Sequence, residues 1–232
     1  MTGMAGIVGE CKKLGMGVSK GSVANVLRRH GLHPAPRRSG PTWSEFLRAQ
    51  AKGTVATDVF SVDTVCLRHY YVLVVIEIES RVVHLLGVTT NPNQRWVTQV
   101  PPTFCAELEE AGQRFRFLIR DRETKFTASF DAVLASIGIQ AIKTPARSPK
   151  ANAFAERWVR TVREDCLDRL LIYSRRQFES VLRAYVLHYN EPRPHRGRQL
   201  ATPLLRHDQP RTCEIYRRDI LGGIVHDYDR AA

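Results

Sequence analysis

Three carboxylates, Asp58, Asp121 and Glu156, stand where an acid is out of place unless it binds something. Asp58 lies inside an apolar, β-branched run, Asp121 closes another, and Glu156 opens a long amphipathic stretch. An ionised group among apolar residues is costly. Three brought together repel, with raised pKa values, unless a cation neutralises them. All-oxygen ligation suits Mg²⁺ or Mn²⁺, which keep part of their water and take few carboxylates. Two such ions about 4 Å apart activate an attacking oxygen and stabilise a leaving one during in-line phosphoryl transfer. Each acid also has a plainer reading as a surface carboxylate, and Glu156 as an acid favoured at a helix N-terminus.

The elements that must position these acids follow from periodicity. TVATDVFSVDTV, YYVLVVIEI and VVHLLGVTT are β-branched and aromatic with short connections, which predicts three consecutive antiparallel strands. A helix is expected from about Pro102 to Ala111, because Pro101-Pro102 must break or begin it. RFRFLIRD reads as a fourth strand, SFDAVLASIG as a helix closed by Gly138, and IQAIKTP as a fifth strand. A long helix should start near Ala153 and run through ERWVRTVREDCLDRLL, followed by a second over SRRQFESVLRAYVLHYN. This order, βββαβαβαα, predicts an α/β fold with a mixed five-stranded sheet flanked by helices.

Ahead of it, residues 6–31 read as two short helices around a glycine turn. Ile7, Cys11 and Leu14 form one apolar stripe and Val23, Val26 and Leu27 the other, with Ser19 or Ser22 as cap and Gly31 as stop. A basic second helix makes a helix-turn-helix the expected role. The division expected is 1–32 as a helix-turn-helix-like DNA-binding segment and 33–53 as a Pro/Gly/Arg-rich linker with a short helix. The core follows over 54–204, and 205–232 is read as a tail.

Charge sharpens the picture. The 232 residues carry +12, unevenly placed. Residues 1–52 hold 9 basic and 2 acidic groups, 53–156 hold 11 of each, and 157–218 hold 14 against 7. A neutral middle is therefore flanked by two arms of +7, and 28 of the 35 basic residues are arginine, whose fork suits phosphate. That distribution points to nucleic acid. No apolar run approaches the roughly 20 residues that span a bilayer, and no secretion signal is visible. Five scattered cysteines without zinc spacing read as free thiols in a reducing cytoplasm.

Three segments carry a family resemblance. DVFSVDTVCLRHYYVLVVIEIESR resembles the first half of the retroviral integrase and transposase core, with Asp58, Tyr70-Tyr71, Glu77 and Ser80-Arg81 in step. FLIRDRETKF resembles the second signature through Asp121 and Phe126, and SPKANAFAERWVRT the third through Pro149, Asn152 and Glu156-Arg157. HYNEPRPHRG, with Ala201 to Pro203 beyond it, is similar to the segment that follows the core in bacterial insertion-sequence transposases. The resemblance spans about residues 54–204. It implies an RNase H-like fold and two Mg²⁺ or Mn²⁺ ions on Asp58, Asp121 and Glu156. The implied reaction is 3′-end cleavage followed by strand transfer, by a homo-oligomer on double-stranded DNA, with nucleoid association when bound. The other readings are a plain RNase H-like nuclease, or a decayed transposase acting only as a DNA-binding protein.

Some residues depart from that pattern or compete within it. Ala153 replaces a common glycine, and Arg122 stands where Asn is frequent. Asp63 rivals Asp58 as first ligand, but an offset of five puts the two on opposite strand faces. DNA contacts are expected from Arg28 and Arg29 in the second helix and from Lys143, Arg147, Lys150 and Asn152 before Glu156. Arg157 and Arg160 on the long helix complete the set. His195 is read as a structural or phosphate contact in preference to a general base, and Trp158 and Val159 as core.

Overall fold

The computed structural model describes residues 4–31, 42–110, 114–122, 126–144, 152–204 and 214–230. The chain forms two compact units, residues 1–42 and 43–232.

In the first unit, α1 (Met4–Lys13) and α2 (Lys20–Arg29) form a helical hairpin. Gly15, at φ +75°, allows the turn, and the Ser19 hydroxyl caps α2 by accepting from the Ser22 amide at 3.0 Å. Gly31, at φ +71°, follows the helix end as its composition predicts. The expected apolar stripes are only partly covered: Val23 is buried, whereas Leu14 is 73% and Val26 54% exposed. Two ten-residue helices cannot enclose a core of their own.

The second unit opens with α3 (Trp43–Gln50), then β1 (Thr54–Asp63), β2 (His69–Glu77) and β3 (Val83–Thr89). Next come α4 (Gln94–Glu110), β4 (Phe117–Arg120), α5 (Ala128–Ser136) and β5 (Gln140–Lys143). Two helices, α6 (Ala153–Asp165) and α7 (Arg175–Asn190), precede a hairpin of β6 (Ile215–Ile220) and β7 (Val225–Arg230). The main sheet runs β3-β2-β1-β4-β5. Its first three strands pair antiparallel, and β4 and β5 continue parallel to β1. This is the five-stranded mixed sheet of the RNase H-like class.

Strand alternation sorts the core into two layers. Ala56, Phe60, Val72, Val74, Ile76 and Ile119 share one cluster with Trp158, Val162, Phe178 and Leu182 of α6 and α7. Val55, Val59, Leu73, Val75 and Leu118 share the other with Val97 and Phe104 of α4 and Phe130 and Leu134 of α5. Each large apolar side chain buried this way stabilises by about 1.5–3 kcal/mol. At the edge of the sheet, the Asn190 side chain accepts from the Val83 amide and donates to its carbonyl, both at 2.9 Å. It docks the end of α7 onto β3.

Three expectations change. The helix expected from Pro102 begins at Gln94 and passes through Pro101-Pro102, capped by the Asn93 side chain accepting from Trp96 at 2.9 Å. Its apolar face, with Val97 and Phe104 buried, outweighs the lost backbone bonds. The short helix α3 belongs to the core and not to a linker: Trp43 and Leu47 pack on the first cluster, and Phe46 meets Phe117 edge-on at 5.6 Å. The tail contains β6 and β7, with Val225 buried in the same cluster.

Candidate active site

The pairing of β1 with β4 decides where the first two acids lie. The strands run parallel with Ala56 opposite Ile119. The pairing ends there, two residues short of Asp58 on one chain and of Asp121 on the other, so both acids lie toward the same end of this strand pair. Asp58 shares its strand face with Ala56 and Phe60, the face that α6 covers. Within β1, Asp58 also accepts from the Val59 amide at 2.8 Å.

The third acid arrives on α6, and a single side chain fixes its approach. Asn152 precedes the helix, and its amide donates to the Thr57 carbonyl at 3.0 Å, one residue before Asp58. Its own carbonyl accepts the Glu156 amide at 3.1 Å, so Glu156 sits one turn into the helix from that anchor. Glu156 is exposed and Asp58 half-buried. Among the described residues, no three His, Cys, Asp or Glu side chains converge closely enough to hold a metal ion. The all-oxygen set of Asp58, Asp121 and Glu156 fits a hard divalent cation by chemistry.

Asp63 stands apart. The β1–β2 register runs without a bulge from Val55 to Asp63, so the offset of five holds and Asp63 faces away from α6. It pairs with His69 at the exposed end of the strands.

The chain has likenesses to known proteins in sequence and in fold. Residues 137–203, from the end of α5 through α7 and the segment after it, match the family model of the integrase core domain. Over these residues the chain is similar to an integrase core. A chain of the simian T-cell lymphotropic virus intasome in complex with PP2A regulatory subunit B56 gamma shares the fold, with a TM-score of 0.52 and 12% identity. That alignment covers 91% of this chain and 79% of the other. The HTLV-2 integrase catalytic core domain in complex with magnesium (dimeric form) aligns at a TM-score of 0.44 and 12% identity, over 66% of this chain and 92% of that one. The BIV integrase catalytic core domain aligns at 0.45 and 17%, over 66% and 91%. No curated protein matches the chain in sequence. The family match takes in Glu156 but neither Asp58 nor Asp121.

Within the second unit the expected DNA contacts separate. Arg157 and Arg160 are exposed on α6 beside Glu156. Asn152 is 3% exposed, and its carboxamide N–H anchors the helix to the Thr57 carbonyl while its side-chain oxygen has no hydrogen-bond partner. Lys143 points to the opposite face of the sheet, where its ammonium lies 3.4 Å from Asp131, so it does not join the group near Glu156. Arg147 and Lys150 lie outside the described residues. In the first unit, Arg28 and Arg29 are exposed on the last turn of α2, Arg28 donating to the Asn25 side chain at 3.2 Å.

The motif after α7 proves to be a brace. Arg193 pairs with Asp165 at 2.6 Å and donates to the Tyr185 hydroxyl at 2.7 Å. His195 donates through Nε2 to the Tyr189 carbonyl at 2.9 Å, and burial lowers its pKa, so it is held neutral. That commits His195 to structure and leaves no base at Nε2. The sequence reading overlooked Arg81, whose guanidinium stacks on Phe154 of α6 at 3.8 Å. Its signal was present in the Ser80-Arg81 pair, noted only for spacing. Trp158 is buried as expected.

Proposed function

We propose that this chain is a metal-dependent polynucleotidyl transferase that cleaves DNA at 3′ ends and joins the freed ends to target DNA. The observation that supports the reading is the parallel β1–β4 pairing, which ends at Ala56–Ile119, two residues short of both Asp58 and Asp121. In this reading Asp58, Asp121 and Glu156 hold Mg²⁺ or Mn²⁺, the pair of strand acids forming the fixed half and Glu156 completing it from the helix. When bound, two such ions supply charge for the attacking and leaving oxygens of the phosphodiester. The protein's own part is to hold and orient. Asn152 keeps the first turn of α6 against Thr57, and Arg157 and Arg160 meet phosphates next to Glu156. The basic flanks supply affinity that depends on salt, and a homo-oligomer brings two element ends together. Arg28 and Arg29 lie where α2 would meet DNA if the first unit reads it.

The test is a strand-transfer assay with matched element ends and Mg²⁺, comparing wild type with Asp121→Asn. Joined product in wild type that vanishes in the variant supports the reading. Cleavage without joining would leave a nuclease. DNA binding with neither reaction would leave a DNA-binding protein.

A further inference from the structure

A cavity of about 410 Å³ lies between α6, the turn after β2 and the segment 193–196. Its wall is cationic: Arg81, Arg157, Arg193 and Arg196 line it with His195, and no Asp or Glu does. Four guanidiniums facing one space repel one another unless something negative enters. Arg193 is answered by Asp165 from outside the cavity. Among the described residues Arg81, Arg157 and Arg196 have no ion-pair partner.

Two donors of this cavity are buried without an acceptor. The Nη1 of Arg81 and the indole N–H of Trp158 have no hydrogen-bond partner, and Trp158 is 1% exposed. Buried polar groups are nearly always satisfied, and an orphan in a native fold calls for a missing ligand, ion or water. Arg81 is moreover held in place. Its backbone adopts φ +68°, a region a residue with a Cβ rarely enters, and its guanidinium lies flat on Phe154. Burial, reinforced by the charges of Arg157 and Arg198 and opposed by Tyr189, pushes Arg81 down to about 10. A strained, desolvated cation whose fork is fixed in plane is preorganised for a tetrahedral oxyanion.

We infer that this cavity is a binding site for a phosphate group, with Arg81 and Trp158 as inner donors and Arg157 and Arg196 as outer charges. A backbone phosphate of nucleic acid and free inorganic phosphate share the required chemistry. That the phosphate belongs to DNA rests on the function proposed above; that the cavity takes phosphate does not. Phe154, Arg157, Trp158 and Thr161 line the cavity from one stripe of α6, and Glu156 is the residue next to Arg157. A strand anchored here is therefore held alongside the helix that carries the third acid, by contacts independent of any metal.

The experiment uses the full chain without metal. Inorganic phosphate is titrated at constant ionic strength, with chloride as the balancing anion, and thermal unfolding is followed for wild type, Arg81→Gln and Arg196→Gln. Phosphate should raise the wild-type Tm by on the order of a few degrees at saturation. The gain should disappear in Arg81→Gln and shrink in Arg196→Gln, whose exposed side chain leaves folding intact. No response to phosphate in wild type, or an unchanged response in Arg196→Gln together with Arg157→Gln, overturns the site. A second arm measures binding of a short duplex by anisotropy across salt concentrations. If DNA supplies the phosphate, phosphate competes with the duplex and Arg196→Gln lowers the slope of log affinity against log salt by about 1. Phosphate binding with duplex affinity untouched keeps the site and assigns it free phosphate. Because neither arm needs catalysis, failure of strand transfer and failure of this site are read separately.

Discussion

The two faces of the sheet are built from alternate residues of the same strands, yet they treat charge in opposite ways. On the α4/α5 face every prominent charge is answered nearby. Arg120, 2% exposed, forms a two-pronged pair with Asp131 at 2.8 and 2.7 Å, and Lys143 joins from β5. Burial would push Asp131 up, but Arg120 and Lys143 outweigh it and hold the carboxyl below the usual range. Glu77 on the same face bonds Ser80 and, at 2.8 Å, His84. On the α6 side, Arg81, Arg157 and Arg196 gather around one cavity with no carboxylate among its described lining residues. The first face closes its electrostatics internally and so serves stability. The second leaves a surplus of positive charge, which an anionic ligand would settle.

The comparison breaks most visibly in activity. Asp58→Asn and Asp121→Asn should each reduce strand transfer to background while duplex binding persists, and a gel assay with Mg²⁺ reads both. Retained joining in Asp58→Asn, with loss in Asp63→Asn, would move the site to the other face of β1. The reverse experiment belongs to the paired face. Asp131→Ala strands a buried guanidinium and should cost about 3 kcal/mol, the low end for a broken buried pair because Asp131 is partly exposed. Arg120→Met with Asp131→Leu should recover much of that in urea unfolding, since an apolar pair of similar volume is often neutral.

A smaller effect comes with pH. Burial lowers His188, against the opposing pull of Asp227, and likewise lowers His195. The unfolded chain then binds more protons than the native one below the ordinary histidine value of about 6.5. The stability linked to these groups is full above that value and drains as pH falls from it toward the depressed native values. Tm measured from pH 8 to pH 5 should decline, and His188→Gln should flatten the decline. Smallest is Asp63→Asn, which removes an exposed pair with His69 and should shift stability by less than about 1 kcal/mol.

The sheet was legible because its inward residues are apolar and alternate, and the acids because strands so apolar make Asp58 and Asp121 conspicuous. The hairpin was not, and β7 shows why. Its inward positions include Asp227 and Asp229, both buried, while Tyr228 is 64% exposed, so the pattern is inverted. Asp227 is tolerated because His188 meets it at 2.5 Å and Arg218 at 3.0 Å, partners that no periodicity reveals. Only the glycines at the bend, Gly222 and Gly223 with positive φ, marked it. The anchoring by Asn152 was hidden for a related reason. A polar residue in a motif suggests a ligand contact, and nothing in the pattern shows that its carboxamide N–H ties a helix to a strand carbonyl. The face of Lys143 could have been found by counting along β5 from its apolar neighbours.

The bond between Asn190 and Val83 has a consequence beyond docking a helix. β3 is the outermost strand on its side, and an outer strand offers bare amides and carbonyls on which a foreign strand can grow. The carboxamide of Asn190 has the shape of a peptide group, and it occupies the outward amide and carbonyl of Val83 as a neighbouring strand would. The sheet thus begins its free margin with a stopper made of one side chain. Copies of this protein crowded together are denied that starting point for strand-to-strand aggregation.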